Sequence, residues 1–135
     1  MNSAVCFRCD SCGAEIDLKE QVNLCPRCGG MLEVQYDLKR MKASSHVFDA
    51  YRRDSIWQYR DFMPPVSDRN LVTLGEGGTP LVRSKYLGPS LGVPELYFKN
   101  DTLMPTGSFK DRGFSLAVSY AMEIGAVTRG RRRPA

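Results

Sequence analysis

Five cysteines and one lysine are the residues of this chain whose types and spacing suit chemistry. Cys6, Cys9, Cys12, Cys25 and Cys28 all lie within the first 28 residues. Cys9-Asp-Ser-Cys12-Gly and Cys25-Pro-Arg-Cys28-Gly are two C-x-x-C knuckles with twelve residues between them. Four thiolates so spaced suit a closed tetrahedral metal site, with structural zinc as the expected occupant. Rubredoxin-like iron uses the same spacing and stays open. Gly13 and Gly29 follow the second cysteine of each knuckle, where the chain must turn tightly around a metal. Cys6 forms an overlapping C-x-x-C with Cys9, but no glycine follows Cys9, so Cys6 is left out of the ligand set. An odd number of cysteines crowded at one end argues against a disulfide framework. The plainer alternative is a set of buried or redox cysteines without metal.

The lysine is Lys110 in "PTGSFKDRG". Ser108 is a plausible helix N-cap, and Asp111 stands three residues later, as in a capping box. Neither needs a function to explain it. Lys110 does, because a cation in the first helical turn opposes the helix dipole at a cost of about 0.3–1 kcal/mol. The same field favours a neutral amine, the form that attacks a carbonyl. On these residues alone, an ordinary solvated lysine remains the commoner outcome. The P-loop is excluded, since neither its spacing nor the hydroxyl after its lysine is present. His46, the single histidine, has no serine or cysteine pattern beside it, so a nucleophile–histidine pair is unsupported. The glycines of "GEGGTP" read as a turn.

The elements that must carry these residues follow from pattern. "MLEVQYDL" alternates as a strand, with Leu32, Val34 and Tyr36 on one face. Pro64-Pro65 stops any helix before it. Leu96–Lys99 is a short apolar, aromatic strand. "SFKDRGFSLAVSYAMEIG" is expected to be a helix ending near Gly125, with an apolar face from Phe109 through Leu116, Tyr120 and Ile124. One strand and one helix cannot close a sheet, so residues from 71 onward read as the opening of a larger α/β domain.

Composition sets the class. The 135 residues are 42% hydrophobic and 25% charged, a globular balance. The start MNSAVCFRCD lacks a signal-peptide pattern, and no apolar run is long enough to span a bilayer. A cytoplasmic protein without membrane contact is expected. The net charge of +4 is matched by Arg129, Arg131, Arg132 and Arg133 at the end of the chain. Residues 1–40 carry five cationic and six acidic side chains, and four thiolates on a dication add more negative charge. No nucleic-acid partner is expected of such a module.

The segment "LYFKNDTLMPTGSFKDRG" resembles the active-site lysine motif of threonine synthases, fold-type II pyridoxal-phosphate enzymes related to tryptophan synthase β. The resemblance continues through "LVTLGEGGTPLVRSKYLG" and "SIWQYRDFMPP". It also takes in "CDSCG" and "CPRCGGMLEVQYDL", which look like the zinc-ribbon extension of many bacterial and archaeal members. It covers residues 6–126. Met104 stands where asparagine is common, and Asp101-Thr102 replaces the usual Glu-Gly or Asp-Glu, departures that bear on substrate fit. The resemblance implies that Lys110 carries pyridoxal 5'-phosphate covalently and that O-phosphohomoserine is the substrate. Loss of phosphate and addition of water at Cβ would then give threonine. It also admits a homodimer in a full-length relative. The family's asparagine loop, glycine-rich phosphate loop and ring-nitrogen hydroxyl would follow residue 126, so the chain is expected to be truncated and inactive alone.

The expected architecture is α/β: a zinc ribbon over 1–38, a charged and aromatic connector over 39–70, and the start of a fold-type II, tryptophan synthase β-like domain over 71–135. Two rivals stay open. One is another fold-type II enzyme such as a cysteate synthase, and the other is a non-catalytic zinc-ribbon docking fragment.

Overall fold

Alternating residues at the N-terminal end build a small antiparallel sheet. Strand β1 (Ala4–Cys9) lies between β2 (Glu15–Ile16) and β3 (Leu32–Tyr36). Phe7 stands opposite Ile16 on one side and Val34 on the other. The computed structural model of the chain describes residues 2–43 and 55–126; His46 and the arginines at 129 and 131–133 lie outside the described residues. The ribbon's core is minimal: Cys9, Ile16 and Cys25 are buried, with Phe7, Ala14, Val22 and Leu32 against them. Two of its three buried members are cysteines. So little apolar surface leaves such a module dependent on a cross-link.

After helix α1 (Leu38–Ala43), a 3-10 segment over Ile56–Phe62 is capped by the Ser55 hydroxyl, which accepts from the Trp57 N–H. It ends before Pro64, as the proline pair requires. Strand β4 (Leu81–Arg83) pairs antiparallel with β5 (Tyr97–Lys99), and the short helix α2 (Leu87–Ser90) sits in the connection. Helix α3 (Lys110–Glu123) follows a turn at Asp101–Leu103. It stops at Gly125, whose φ of 69° permits a Schellman end: Gly125 N–H donates to the Met122 carbonyl and Ala126 N–H to that of Ala121. Among the described residues, no helix is long and apolar enough to cross a membrane.

The face that α3 buries differs from the expected apolar one. Its most buried line is polar: Asp111, Ser115 and Ser119, four residues apart. The Trp57 indole donates to the Ser115 hydroxyl at 2.9 Å, and Ser115 donates to the Val72 carbonyl at 2.7 Å. The Val72 N–H donates to Ser119 at 2.8 Å. Serine's small side chain lets an extended segment approach the helix closely and satisfies that segment's backbone. Leu116 and Tyr120 flank this line and pack on a core of Ile56, Trp57 and Val66, in keeping with the expectation. Phe109, by contrast, is 64% exposed, and Phe114, Val118 and Met122 form an exposed apolar strip.

The ribbon meets the far end of α3. The Tyr120 hydroxyl donates to the Leu18 carbonyl, and its ring meets Phe7 edge-on at 6.2 Å. Gln21 donates to the Ile124 carbonyl at 2.7 Å. Ser3 N–H donates to the Asp61 carbonyl at 2.9 Å, and the Asn2 amide donates to the carbonyls of Arg60 and Met63. Tyr120→Phe removes one of these links while keeping the ring. It is expected to lower stability by about 1 kcal/mol in urea unfolding; an unchanged midpoint would show that the ribbon does not brace the helix through this hydroxyl.

Glu123 closes the same end. It accepts from the Ser67 hydroxyl and N–H and from the Asn70 amide, at 2.6, 2.9 and 2.7 Å. These bonds, the Ser67 hydroxyl first, bring its pKa from 4.5 to about 2. A depressed carboxylate stabilises the fold above its unfolded pKa and loses that contribution as pH falls through the folded value. The stability difference between the unaltered chain and Glu123→Gln is therefore expected to shrink between pH 5 and pH 2, about the span of that shift. A difference constant over that range in acid titration of unfolding would contradict this role.

Candidate functional site

The two cysteine knuckles fold alike. Cys9 N–H donates to the Ala14 carbonyl and Gly13 N–H to that of Cys9; Cys25 with Gly30, and Gly29 with Cys25, repeat the pattern. Gly13 and Gly29 adopt φ of 69° and 73°, the positive values the spacing demands. The sulfurs of Cys9, Cys12, Cys25 and Cys28 all lie within 4.8 Å of one another. Cys9 and Cys28 are separated by 3.5 Å, Cys12 and Cys25 by 3.7 Å. A metal at about 2.3 Å from each of four tetrahedral sulfurs would set them about 3.8 Å apart, so the cluster fits. Cys6, on β1, stands outside this group.

The thiols do not share charge evenly without a cation. The backbone N–H of Cys12 brings the Cys9 thiol down to about 6. At Cys28 the Gly30 N–H favours the thiolate, but the neighbouring thiols of Cys12, Cys9 and Cys25 outweigh it and push that thiol up to about 12. A dication would favour the ionised form at all four sulfurs. Gly30 faces the cluster across β1: a Cβ there would lie 2.9 Å from the Cys9 sulfur and 2.6 Å from the Ser11 hydroxyl.

Lys110 is the first residue of α3, exposed, and its ammonium enters no ion pair among the described residues. The expected capping pair differs in detail. The Ser108 hydroxyl accepts from the Lys110 N–H at 3.3 Å. Asp111, 9% exposed, turns back to Thr106 instead, accepting from its N–H at 2.8 Å and from its hydroxyl. Gly107, at φ 73°, makes the turn that allows this. Immediately before Lys110, a cleft of about 530 Å³ is lined by Val82, Asn100, Thr102, Ser108 and Phe109 among others. Lys110 follows directly on Phe109 but does not itself line the cleft.

Two polar clusters beside the lysine went unread in the sequence. Arg112 donates to both carboxylate oxygens of Asp101 at 2.8 Å, and Thr79 donates to Asp101 at 2.7 Å. The guanidinium, then the hydroxyl, holds the Asp101 carboxyl well below the usual range. Glu76 of "GEGGTP" is 1% exposed and accepts from Ser55, Thr73 and the Leu74 N–H. Burial works against its charge, yet backbone N–H groups and the Thr73 hydroxyl bring its pKa below the ordinary value. Gly77, at φ 136°, has no room for a side chain, since a Cβ would lie 2.9 Å from the Ile56 nitrogen. Glu76's bonds and the tight packing at Gly77 make this loop more than the simple turn its glycines suggested. The Arg112, Asp101 and Thr79 pairings join residues 11 to 33 positions apart, a separation that no local pattern reveals.

Residues 72–132, which hold the glycine loop, the cleft and Lys110, match the family of pyridoxal-phosphate dependent enzymes. Over most of its length the chain is similar to threonine synthases. It is 40% identical over 124 residues to the threonine synthase of Methanocaldococcus jannaschii, covering 91% of this chain and 30% of that protein. It is 38% identical over 122 residues to that of Methanosarcina acetivorans, covering 90% and 29%. A 76-residue match to the Halalkalibacterium halodurans threonine synthase is 43% identical. The chain thus spans about three-tenths of the length of the first two relatives.

The four-sulfur geometry carries its own test. Metal content measured by elemental analysis is expected near one ion per chain, lost in Cys25→Ser and retained in Cys6→Ser. Retention in the first variant, or loss in the second, would redraw the ligand set.

Proposed function

We propose that this chain is the lysine-bearing part of a threonine synthase-like lyase that converts O-phosphohomoserine and water to threonine and phosphate. Lys110 holds pyridoxal 5'-phosphate covalently, and Cys9, Cys12, Cys25 and Cys28 hold a structural zinc ion. The observation that carries this reading is the placement of Lys110: exposed, free of an ion pair, and first in a helix whose start adjoins a cleft. The similarity to threonine synthases supports the substrate.

When bound, the cofactor supplies an electron sink for carbanions formed on the substrate. The chain's own residues do the rest. Lys110 would hold the cofactor, and its amine would move protons at the substrate carbons. The turn at Gly107 and Ser108 sets where that amine starts. Four thiolates saturate the zinc, leaving no position for water or substrate, so the ribbon over 1–38 acts on stability, ahead of the connector over 39–70 and the catalytic segment over 71–135. The substrate is a small molecule, with neither nucleic acid nor membrane as partner, and the setting is the cytoplasm.

The test uses the chain itself. Exposure to pyridoxal phosphate followed by borohydride, with peptide mass mapping, is expected to mark Lys110 ahead of the exposed Lys85 and Lys19, and Lys110→Ala removes that mark. Labelling spread evenly over the exposed lysines would refute the role of Lys110. No phosphate release from O-phosphohomoserine is expected of these 135 residues alone. A form extended to the relatives' length is expected to release it; product from phosphoserine and sulfite instead would make the protein a cysteate synthase.

A further inference from the structure

The Lys110 backbone N–H donates to the Ser108 hydroxyl at 3.3 Å, and the residues after it hold the helix start more firmly. Two clamps lie directly after it. Asp111 grips Thr106 across the Gly107 turn, and Arg112 grips Asp101 in a two-pronged ion pair. The second is the wider reaching. Arg112 belongs to the first turn of α3, Asp101 follows the end of β5, and Thr79 closes the glycine loop. The Thr79 hydroxyl accepts from Arg112 at 3.2 Å while donating to Asp101 at 2.7 Å, and Lys99 donates to the Thr79 carbonyl. One guanidinium therefore ties three separate segments at the residue two places past the lysine. Asp101 also lines the cleft. Arg112 and Asp101 each retain only 29% side-chain exposure, and a planar, bidentate pair fixes direction as well as distance.

The geometry points to Arg112, Asp101 and Thr79 as positioning residues that fix the start of α3, and with it Lys110, beside the cleft. This rests on the reading of Lys110 as the cofactor lysine. An amine on a helix start that can rock loses its approach to a carbonyl held in the cleft, whereas other exposed lysines are indifferent to the clamp. The exposed Arg83–Glu95 pair on β4 offers a control, because it restrains no residue of the first turn of α3.

The ratio of borohydride-fixed pyridoxal phosphate at Lys110 to that at Lys85 reads the effect within one molecule. Asp101→Asn and Thr79→Val are expected to lower that ratio, the former on the order of tenfold. Arg112→Lys, which keeps the charge but loses the fork, should restore it only in part, and Arg83→Met should leave it unchanged. Emission from Trp57, the single tryptophan, reports α3 docking through its bond to Ser115 and is expected to stay native. An unchanged ratio in both Asp101→Asn and Thr79→Val with native Trp57 emission would overturn the inference. So would full restoration by Arg112→Lys, which would reduce the clamp to charge alone. A fall in the ratio only where Trp57 emission also changes would assign the cluster to folding and overturn it equally. Absence of any Lys110 preference in the unaltered chain would sink the cofactor reading itself, a different and separable result.

Discussion

The hydrogen bond from the Trp57 indole to the Ser115 hydroxyl, passed on to the Val72 carbonyl, is the contact on which the arrangement of the described segments turns. It joins the 3-10 segment, the extended approach to the glycine loop and the middle of α3 at one buried point. An indole N–H left without an acceptor there would cost about 1–3 kcal/mol. Apolar neighbours alone would not specify the register of residue 72 against the helix, because apolar contact is non-directional. The serine does. With Ser119 taking the Val72 N–H one turn later, both backbone groups of residue 72 are answered by the helix.

From that point the helix divides its tasks. Its start presents Lys110 beside two clamps, and its end receives the ribbon at Tyr120 and the Ile124 carbonyl, while Glu123 holds Ser67 and Asn70. Fourteen residues span about 21 Å, so Phe7, Leu18 and Gln21 of the ribbon brace α3 at the end remote from the lysine. A ribbon core with three buried residues cannot hold its shape by hydrophobic burial. The four clustered sulfurs supply the means of closing it, and the ribbon's rigidity then bears on the helix. The exposed strip of Phe114, Val118 and Met122 runs beside the serine line, and Phe114 and Val118 share a cavity lining with Asp111 and Ser115.

Much of this layout was legible in the residues. The paired knuckles, each with a glycine after its second cysteine, marked the sulfur cluster before any coordinates, since that spacing and those φ values are local requirements. Strand β3, strand β5 and the extent of α3 followed from alternation and from Gly125. The start of α3 was read with the wrong partner for Asp111, because the Gly107 turn brings Thr106, five residues back, to the carboxylate that a capping box would give to Ser108, three back.

By itself, the sequence determined the cysteine cluster, the helix and its lysine, and the likeness to a family, all of which depend on neighbours within a few residues or on pattern along the chain. Which side of α3 would be buried was decided only in three dimensions. Hydrophobic periodicity favours an apolar face, yet the helix buries Ser115 and Ser119, because a backbone segment from residues 71–72 had to be satisfied at close range. The Arg112–Asp101–Thr79 clamp was likewise decided by the fold, since charges become partners only when the fold brings separate segments within hydrogen-bonding distance.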